Sequence, residues 1–155
     1  GWSAPRWIRL WMICATRGGD GWLWFAMCLS ILLFGGKDRF VAVGAASIAS
    51  ALGTILFFWL KRQTGRKRPC HIAPHCWSKL LPPDQFSFPS GHSINAFSFA
   101  ICLGLFYPSL MIGLLFCAVS IAMSRVVLGM HFLSDVAIGS VMGALLGYTV
   151  FAIYY

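Results

Sequence analysis

Apolar positions in this chain gather into long blocks broken by short polar stretches. The blocks cover 21–34 (GWLWFAMCLSILLF), 40–60 (FVAVGAASIASALGTILFFWL), 92–107, 109–124 and 133–155. A membrane-crossing helix needs about 20 apolar residues, fewer where the bilayer thins. The five blocks therefore predict five transmembrane helices, the first of them short. GGKDR makes the turn after the first, Pro108 lies in the tight turn between the third and fourth, and Asp20 is placed to N-cap the first. Residues 2–17 read differently, because Arg6 and Arg9 interrupt the apolar run and Trp2, Trp7 and Trp11 lie along it. That pattern predicts an amphipathic helix lying in the headgroup layer, with a degenerate sixth span as the alternative. A polar loop region occupies 61–91. The expected fold is all-α, one domain over 1–155. It is a polytopic membrane helical bundle of about five transmembrane helices plus an N-terminal interfacial amphipathic helix.

Composition agrees with a membrane setting. Of 155 residues, 59% are hydrophobic and only 10% charged, where a soluble domain carries about 25% charge. Mean hydropathy is +0.77. The net charge of +8 comes from twelve Lys and Arg against four acidic residues, all of them Asp. A basic excess can mean nucleic acid, but these charges sit at the ends of apolar runs, where anionic lipid or a phosphate ligand suits them better. Cys14, Cys28, Cys102 and Cys117 lie in apolar segments and read as small hydrophobes. Cys70 and Cys76 bracket CHIAPHC. They are open to three readings: a disulfide in an oxidising compartment, two free thiols, or a metal site with His71 and His75 whose spacing matches no common zinc finger.

Following the chain through alternating spans brings Lys61, His92, Arg125 and His131 to the same membrane face. The opposite face receives Lys37, Asp38 and Arg39. Three groups meet on the first face. In KRQTGRKRP, Lys61 and Arg68 are seven residues apart, two helical turns, and share a side if the helix continues to Pro69. Basic residues after a span also serve as ordinary topological flanks. In Pro89-Ser90-Gly91-His92, a helix start offers open N–H groups to an anion, Gly91 admits a close approach and Ser90 adds a hydroxyl. In SRVVLGMHFLSD, Arg125 supplies a planar fork for phosphate oxygens. His131 and Asp135 are one helical turn apart, so the carboxylate can accept a proton from one ring nitrogen and leave the other lone pair free. The four carboxylates, Asp20, Asp38, Asp84 and Asp135, form no cluster, so a two-metal phosphatase centre is unsupported. No Gly-rich phosphate loop occurs either, and a metal-free phosphoryl site without cofactor is what these residues predict.

In order and spacing the three groups resemble the signature of the type 2 phosphatidic acid phosphatase family. The signature is a Lys, six residues, then Arg-Pro; Pro-Ser-Gly-His; and Ser-Arg, five residues, His, three residues, Asp. Lys61 with Arg68-Pro69, Pro89 to His92, and Ser124-Arg125 with His131 and Asp135 fill every position. Membrane members of the family often have six spans, and here an interfacial helix stands in place of the first.

The resemblance implies that His131 attacks phosphorus to form a phosphohistidine, oriented by Asp135. His92 would protonate the leaving oxygen and then activate water. Lys61, Arg68, Ser90, Gly91 and Arg125 would hold the phosphoryl oxygens. The implied activity is hydrolysis of a lipid phosphomonoester or diphosphate, with the bilayer as setting and no nucleic-acid partner. Family substrates include phosphatidic acid, phosphatidylglycerol phosphate, isoprenyl diphosphates, lipid A and sphingoid phosphates. A bacterial glycerophospholipid or undecaprenyl diphosphate is the expectation here. A lipid phosphotransferase using the same residues, or a non-catalytic lipid-binding or transport protein, are the alternatives. Vanadate-dependent haloperoxidases carry a similar signature, but the hydrophobic spans argue against that soluble class. Oligomeric state is not legible. The positive-inside rule would put the basic face in the cytoplasm. The family's bacterial members commonly work on the periplasmic side, and the Cys70–Cys76 loop suits an oxidising exterior. The expected location is a bacterial inner membrane with the active site facing the periplasm.

Overall fold

The computed structural model describes residues 5–69 and 86–155. The three readings of Cys70 and Cys76, and the positions of Trp2 and Asp84, lie outside the described residues. Among the described residues six α-helices follow one another: α1 (Arg6–Arg17), α2 (Leu23–Phe34), α3 (Arg39–Thr64), α4 (Gly91–Phe106), α5 (Met111–Val127) and α6 (Leu133–Tyr154). A wide helical turn, Gly18–Trp22, makes an elbow between α1 and α2, and Gly21 within it has φ 118°. A 3-10 turn at Pro108–Leu110 starts α5.

α4 is the hub, packed against α3, α5 and α6. Small residues allow these helices to approach closely, the usual device where lipid removes any hydrophobic drive for helices to associate. On α3, Ala42, Ala45, Ala46, Ala49 and Gly53 are buried on one side. On α6, Gly139 and Gly147 run against the backbone of α4: a Cβ at Gly139 would lie 2.8 Å from the Ser90 carbonyl oxygen, and one at Gly147 would lie 2.7 Å from that of Ser98. Gly143, between them, faces the Ile94 carbonyl group. Large apolar side chains such as Phe34, Ile112, Leu145 and Ile153 point outward, as lipid-facing residues do.

Among the described residues, three helical stretches are long and apolar enough to cross a membrane: Arg39–Thr64, Pro108–Val127 and Leu133–Tyr154. α4 has 16 residues and α2 has 12, about 24 Å and 18 Å of axis. The five apolar blocks are thus five helices, of which two fall short of the full hydrocarbon thickness. α4 tolerates this because its neighbours cover it, leaving Ile94, Ala96, Ala100, Cys102 and Leu103 buried.

α1 lies along α5. Met12 packs with Leu128 and Met130, and Trp11 stacks on Phe116 with centroids 5.8 Å apart. Trp7 and Leu10 stay exposed. α3 does not continue to Pro69 as the spacing suggested. Gly65, with φ 56°, ends it in a left-handed cap. Residues 66–68 then run antiparallel to the segment after Phe86, with Ser87 N donating to Arg66 O at 2.7 Å. The 61–91 loop region therefore begins as helix.

Candidate active site

The C-terminal ends of α3 and α5 and the N-terminal ends of α4 and α6 converge, as alternating spans require. Between them lies a cavity of about 530 Å³ lined by Lys61, Arg68, Gly91, His92, Arg125 and His131, and also by Phe57 and Asn95. Six of the eight expected site residues thus share one cavity wall. Lys61, Arg68 and Arg125 are buried cations. Arg68 reaches the cavity from the extended 66–68 segment rather than along the helix face that also carries Lys61, which corrects the two-turn reading. The Lys61 ammonium sits 4.4 Å above the Phe57 ring.

Hydrogen bonds fix the His131 ring. Nδ1 lies 2.5 Å from the Ser87 carbonyl oxygen, and Nε2 lies 3.1 Å from Arg68 Nη1. A carbonyl only accepts and a guanidinium only donates, so Nδ1 carries the proton and Nε2 carries the lone pair. Burial, then the charges of Arg68 and Arg125, push the ring down to about 2, while the Ser87 bond pulls the other way. His131 is therefore neutral at neutral pH. Arg68 is anchored through Nη1 to the Met130 carbonyl at 2.8 Å.

Two expectations are corrected by this geometry. Asp135 does not take the Nδ1 proton: its Oδ2 lies 3.9 Å from that nitrogen. Instead Oδ2 accepts from Phe132 N at 2.9 Å and Oδ1 accepts from Arg66 Nη1 at 2.7 Å. The carboxylate fixes the turn that presents His131, and the Ser87 carbonyl does the orienting. Ser90, fully buried, does not line the cavity. Its Oγ caps α4, accepting from Ser93 N at 3.4 Å and Ser93 Oγ at 2.9 Å. The cap leaves the Gly91 and His92 N–H groups as first-turn donors. Gly91 meets a second demand that its sequence position does not announce: a Cβ there would come within 3.1 Å of the Phe57 ring.

Four contributors were not singled out by their sequence as parts of the site. Ser87 offers a backbone oxygen, which no side-chain pattern announces. Arg66 binds Asp135 and also donates to Ser134 Oγ at 2.8 Å. Thr16 of α1 accepts from Arg125 Nη1 at 2.5 Å. Asp20 does not cap α2; its Oδ1 lies 2.8 Å from His92 Nε2. Polar residues flanked by glycines, as in Gly18-Gly19-Asp20-Gly21, were the available signal for Asp20. A second cavity of about 480 Å³, with no cation among the described residues lining it, adjoins the first, sharing Gly19, Asp20 and Asn95 with it and bordered by Trp24, Phe25, Leu29 and Phe99.

The family model of the PAP2 superfamily matches residues 39–155. The chain belongs to the PAP2 superfamily. Among PAP2 relatives, the lipid A 1-phosphatase of Rhizobium etli is 34% identical over 147 residues, covering 81% of this chain and 62% of that protein. The decaprenylphosphoryl-5-phosphoribose phosphatase of Mycobacterium tuberculosis is 33% identical over 132 residues, covering 82% and 68%. The chain spans about three fifths of the length of the lipid A 1-phosphatases it matches. Two crystal structures share the fold. Aquifex aeolicus LpxE superposes with a TM-score of 0.80 at 25% identity, over 97% of this chain and 88% of that one. The transmembrane PAP2 type phosphatidylglycerolphosphate phosphatase of Bacillus subtilis gives 0.73 at 26% identity, over 97% and 78%.

Proposed function

We propose that this PAP2 protein is an integral-membrane lipid phosphatase that hydrolyses a phosphomonoester or diphosphate of a lipid through a phosphohistidine, without a metal ion. The observation that carries the reading is the His131 ring. Its tautomer is fixed, and its Nε2 lone pair opens on a cavity that also holds Lys61, Arg68, Arg125 and His92. Nε2 attacks phosphorus while the bond to the leaving oxygen breaks, and His92 gives that oxygen a proton. Water, deprotonated by His92, then displaces Nε2 and releases phosphate. Arg68 moves from Nε2 to a phosphoryl oxygen as substrate enters, and with Lys61, Arg125 and the Gly91 N–H stabilises the growing charge. Acid–base help of this kind is worth about 10²–10⁴-fold.

The adjoining apolar cavity supports a lipid over a soluble ester, since it offers room for the start of a tail beside the phosphate. The named relatives act on lipid-linked phosphates. A bacterial glycerophospholipid phosphate or undecaprenyl diphosphate is the proposed substrate, and the periplasmic face of an inner membrane the proposed site. Phosphate release from a panel of lipid phosphates in detergent with chelator tests the chemistry. Activity without divalent metal, inhibition by vanadate and its loss in His131→Ala are expected; a strict magnesium requirement would contradict the mechanism. Labelling Cys70 and Cys76 in intact cells with an impermeant thiol reagent, with and without reductant, tests the sidedness.

A further inference from the structure

We propose that Asp20 is the positioning residue for His92: its carboxylate holds Nε2–H and turns Nδ1 toward the leaving-group oxygen. The proposal rests on the phosphatase reading and assigns a residue from outside the three motif groups, 72 positions from its partner.

The elbow between α1 and α2 is shaped for this contact. A Cβ on Gly19 would lie 2.8 Å from Ile121 Cγ2 and 3.0 Å from His92 Cδ2. Only a bare backbone lets the elbow come so near the ring. Gly21 follows at φ 118°, a conformation side chains rarely permit. Asp20 is thus delivered by glycine on both sides. Its two oxygens are divided, with Oδ2 at 3.6 Å from Arg17 Nη1 and Oδ1 at 2.8 Å from His92 Nε2. Among the described residues, the other charged or titratable groups lining the cavity are Lys61 of α3, Arg68 of the extended segment, Arg125 of α5 and His131 of the turn before α6. Asp20 is the one carboxylate among the described residues lining that cavity.

Charge balance assigns the carboxylate its part. Before the first step His92 is an imidazolium, with Nε2–H on Asp20 and Nδ1–H on the leaving oxygen. As the P–O bond breaks, Nδ1 gives its proton to that oxygen and the ring becomes neutral, still donating Nε2–H. In the second step Nδ1 takes a proton from the attacking water as the P–N bond to His131 breaks. Asp20 exchanges no proton in either step, and its charge is set against those of Lys61, Arg68 and Arg125 around the same cavity.

An ester pair distinguishes this role from a packing role. An alkyl lipid phosphate needs its leaving oxygen protonated, while an aryl phosphate such as the para-nitrophenyl ester leaves unaided. kcat/KM is the readout because it stops at departure of the leaving group. Asp20→Asn is expected to lower it about 10–100-fold on the alkyl ester and less than about threefold on the aryl ester. Asp20→Glu should recover part of the alkyl activity. In a His92→Ala background Asp20→Asn should add nothing. Equal losses on both esters, an additive loss in the His92→Ala background, or full alkyl activity in Asp20→Asn would each overturn the pairing. If Asp20→Asn fails to fold in detergent, Gly19→Ala, which forces the elbow off the ring, must show the same ester selectivity or the pairing is overturned. Wild-type protein inactive on every phosphate ester would instead overturn the phosphatase reading on which the pairing rests.

Discussion

Arg66 Nη1 and Asp135 Oδ1 are joined at 2.7 Å, and Asp135 is fully buried while Arg66 remains partly in solvent. The pair spans 69 residues and pins the start of α6 to the segment that carries Arg68. Arg66 also covers the Phe132 ring at 4.3 Å. Removing Arg66 strands a buried carboxylate, whereas removing the charge of Asp135 does not. Hydrogen bonds to charged groups are worth about 1.5–3 kcal/mol, so Arg66→Ala should lower the melting temperature clearly. Asp135→Asn should lower it less, and the double variant should be more stable than the two losses summed. Thermal unfolding of the four proteins in detergent measures this; strict additivity would contradict the coupling.

Thr16 accepts from Arg125 Nη1 deep in the protein, which makes α1 part of the site and not a detached anchor. Thr16→Val keeps the shape and removes the acceptor. An unsatisfied buried donor costs about 1–3 kcal/mol. If that cost is felt in phosphate binding by Arg125, kcat/KM falls about tenfold, with Thr16→Ser near wild type. An unchanged kcat/KM in Thr16→Val would show that Arg125 needs no support from α1.

The helices and the three motif groups were legible because membrane helices must be long apolar blocks and because alternating spans dictate which ends meet. Lys61, His92, Arg125 and His131 therefore converge in the cavity as expected. What stayed hidden depends on loops. Lys61 and Arg68 are seven positions apart, which fits one helix face, yet Gly65 breaks the helix and delivers Arg68 by an extended path. The spacing of His131 and Asp135 fits a one-turn pair, but α6 begins only at Leu133, so the ring belongs to the preceding turn and meets Ser87 instead. Asp20 fits the composition of an N-cap, and only the folded elbow shows its carboxylate turned toward His92. The count of crossing helices was also softer than the blocks suggested, because α2 and α4 are apolar without being long.

Gly143 of α6 is packed directly on the Ile94 carbonyl of α4, whereas a Cβ at Gly113 of α5 would meet nothing within 4 Å. Overpacking of a tight contact costs about 1–3 kcal/mol, and here the obstacle is backbone that cannot rotate away. Gly143→Val should lose folded protein in detergent and phosphatase activity together, because α4 carries Gly91 and His92. Gly113→Val should behave like wild type. Monodisperse recovery on size exclusion and phosphate release compare them, and similar behaviour of the two variants would show that the α4–α6 contact is looser than the structure gives.

His131 titrates near 6.5 when free and is held down to about 2 in the folded protein, by burial first and then by Arg68 and Arg125. Between those two values the unfolded chain binds a proton that the native state refuses. Its contribution to stability is therefore complete above about pH 6.5 and is lost progressively as pH falls toward 2. The corresponding slope is at most about 1.4 kcal/mol per pH unit. Melting temperatures in detergent from about pH 4 to about pH 7 should fall more steeply on acidification for the wild type than for His131→Gln, which cannot take up the proton. Equal slopes would mean that the native ring takes up its proton as readily as the unfolded chain does, against the burial and the Arg68 and Arg125 charges around it.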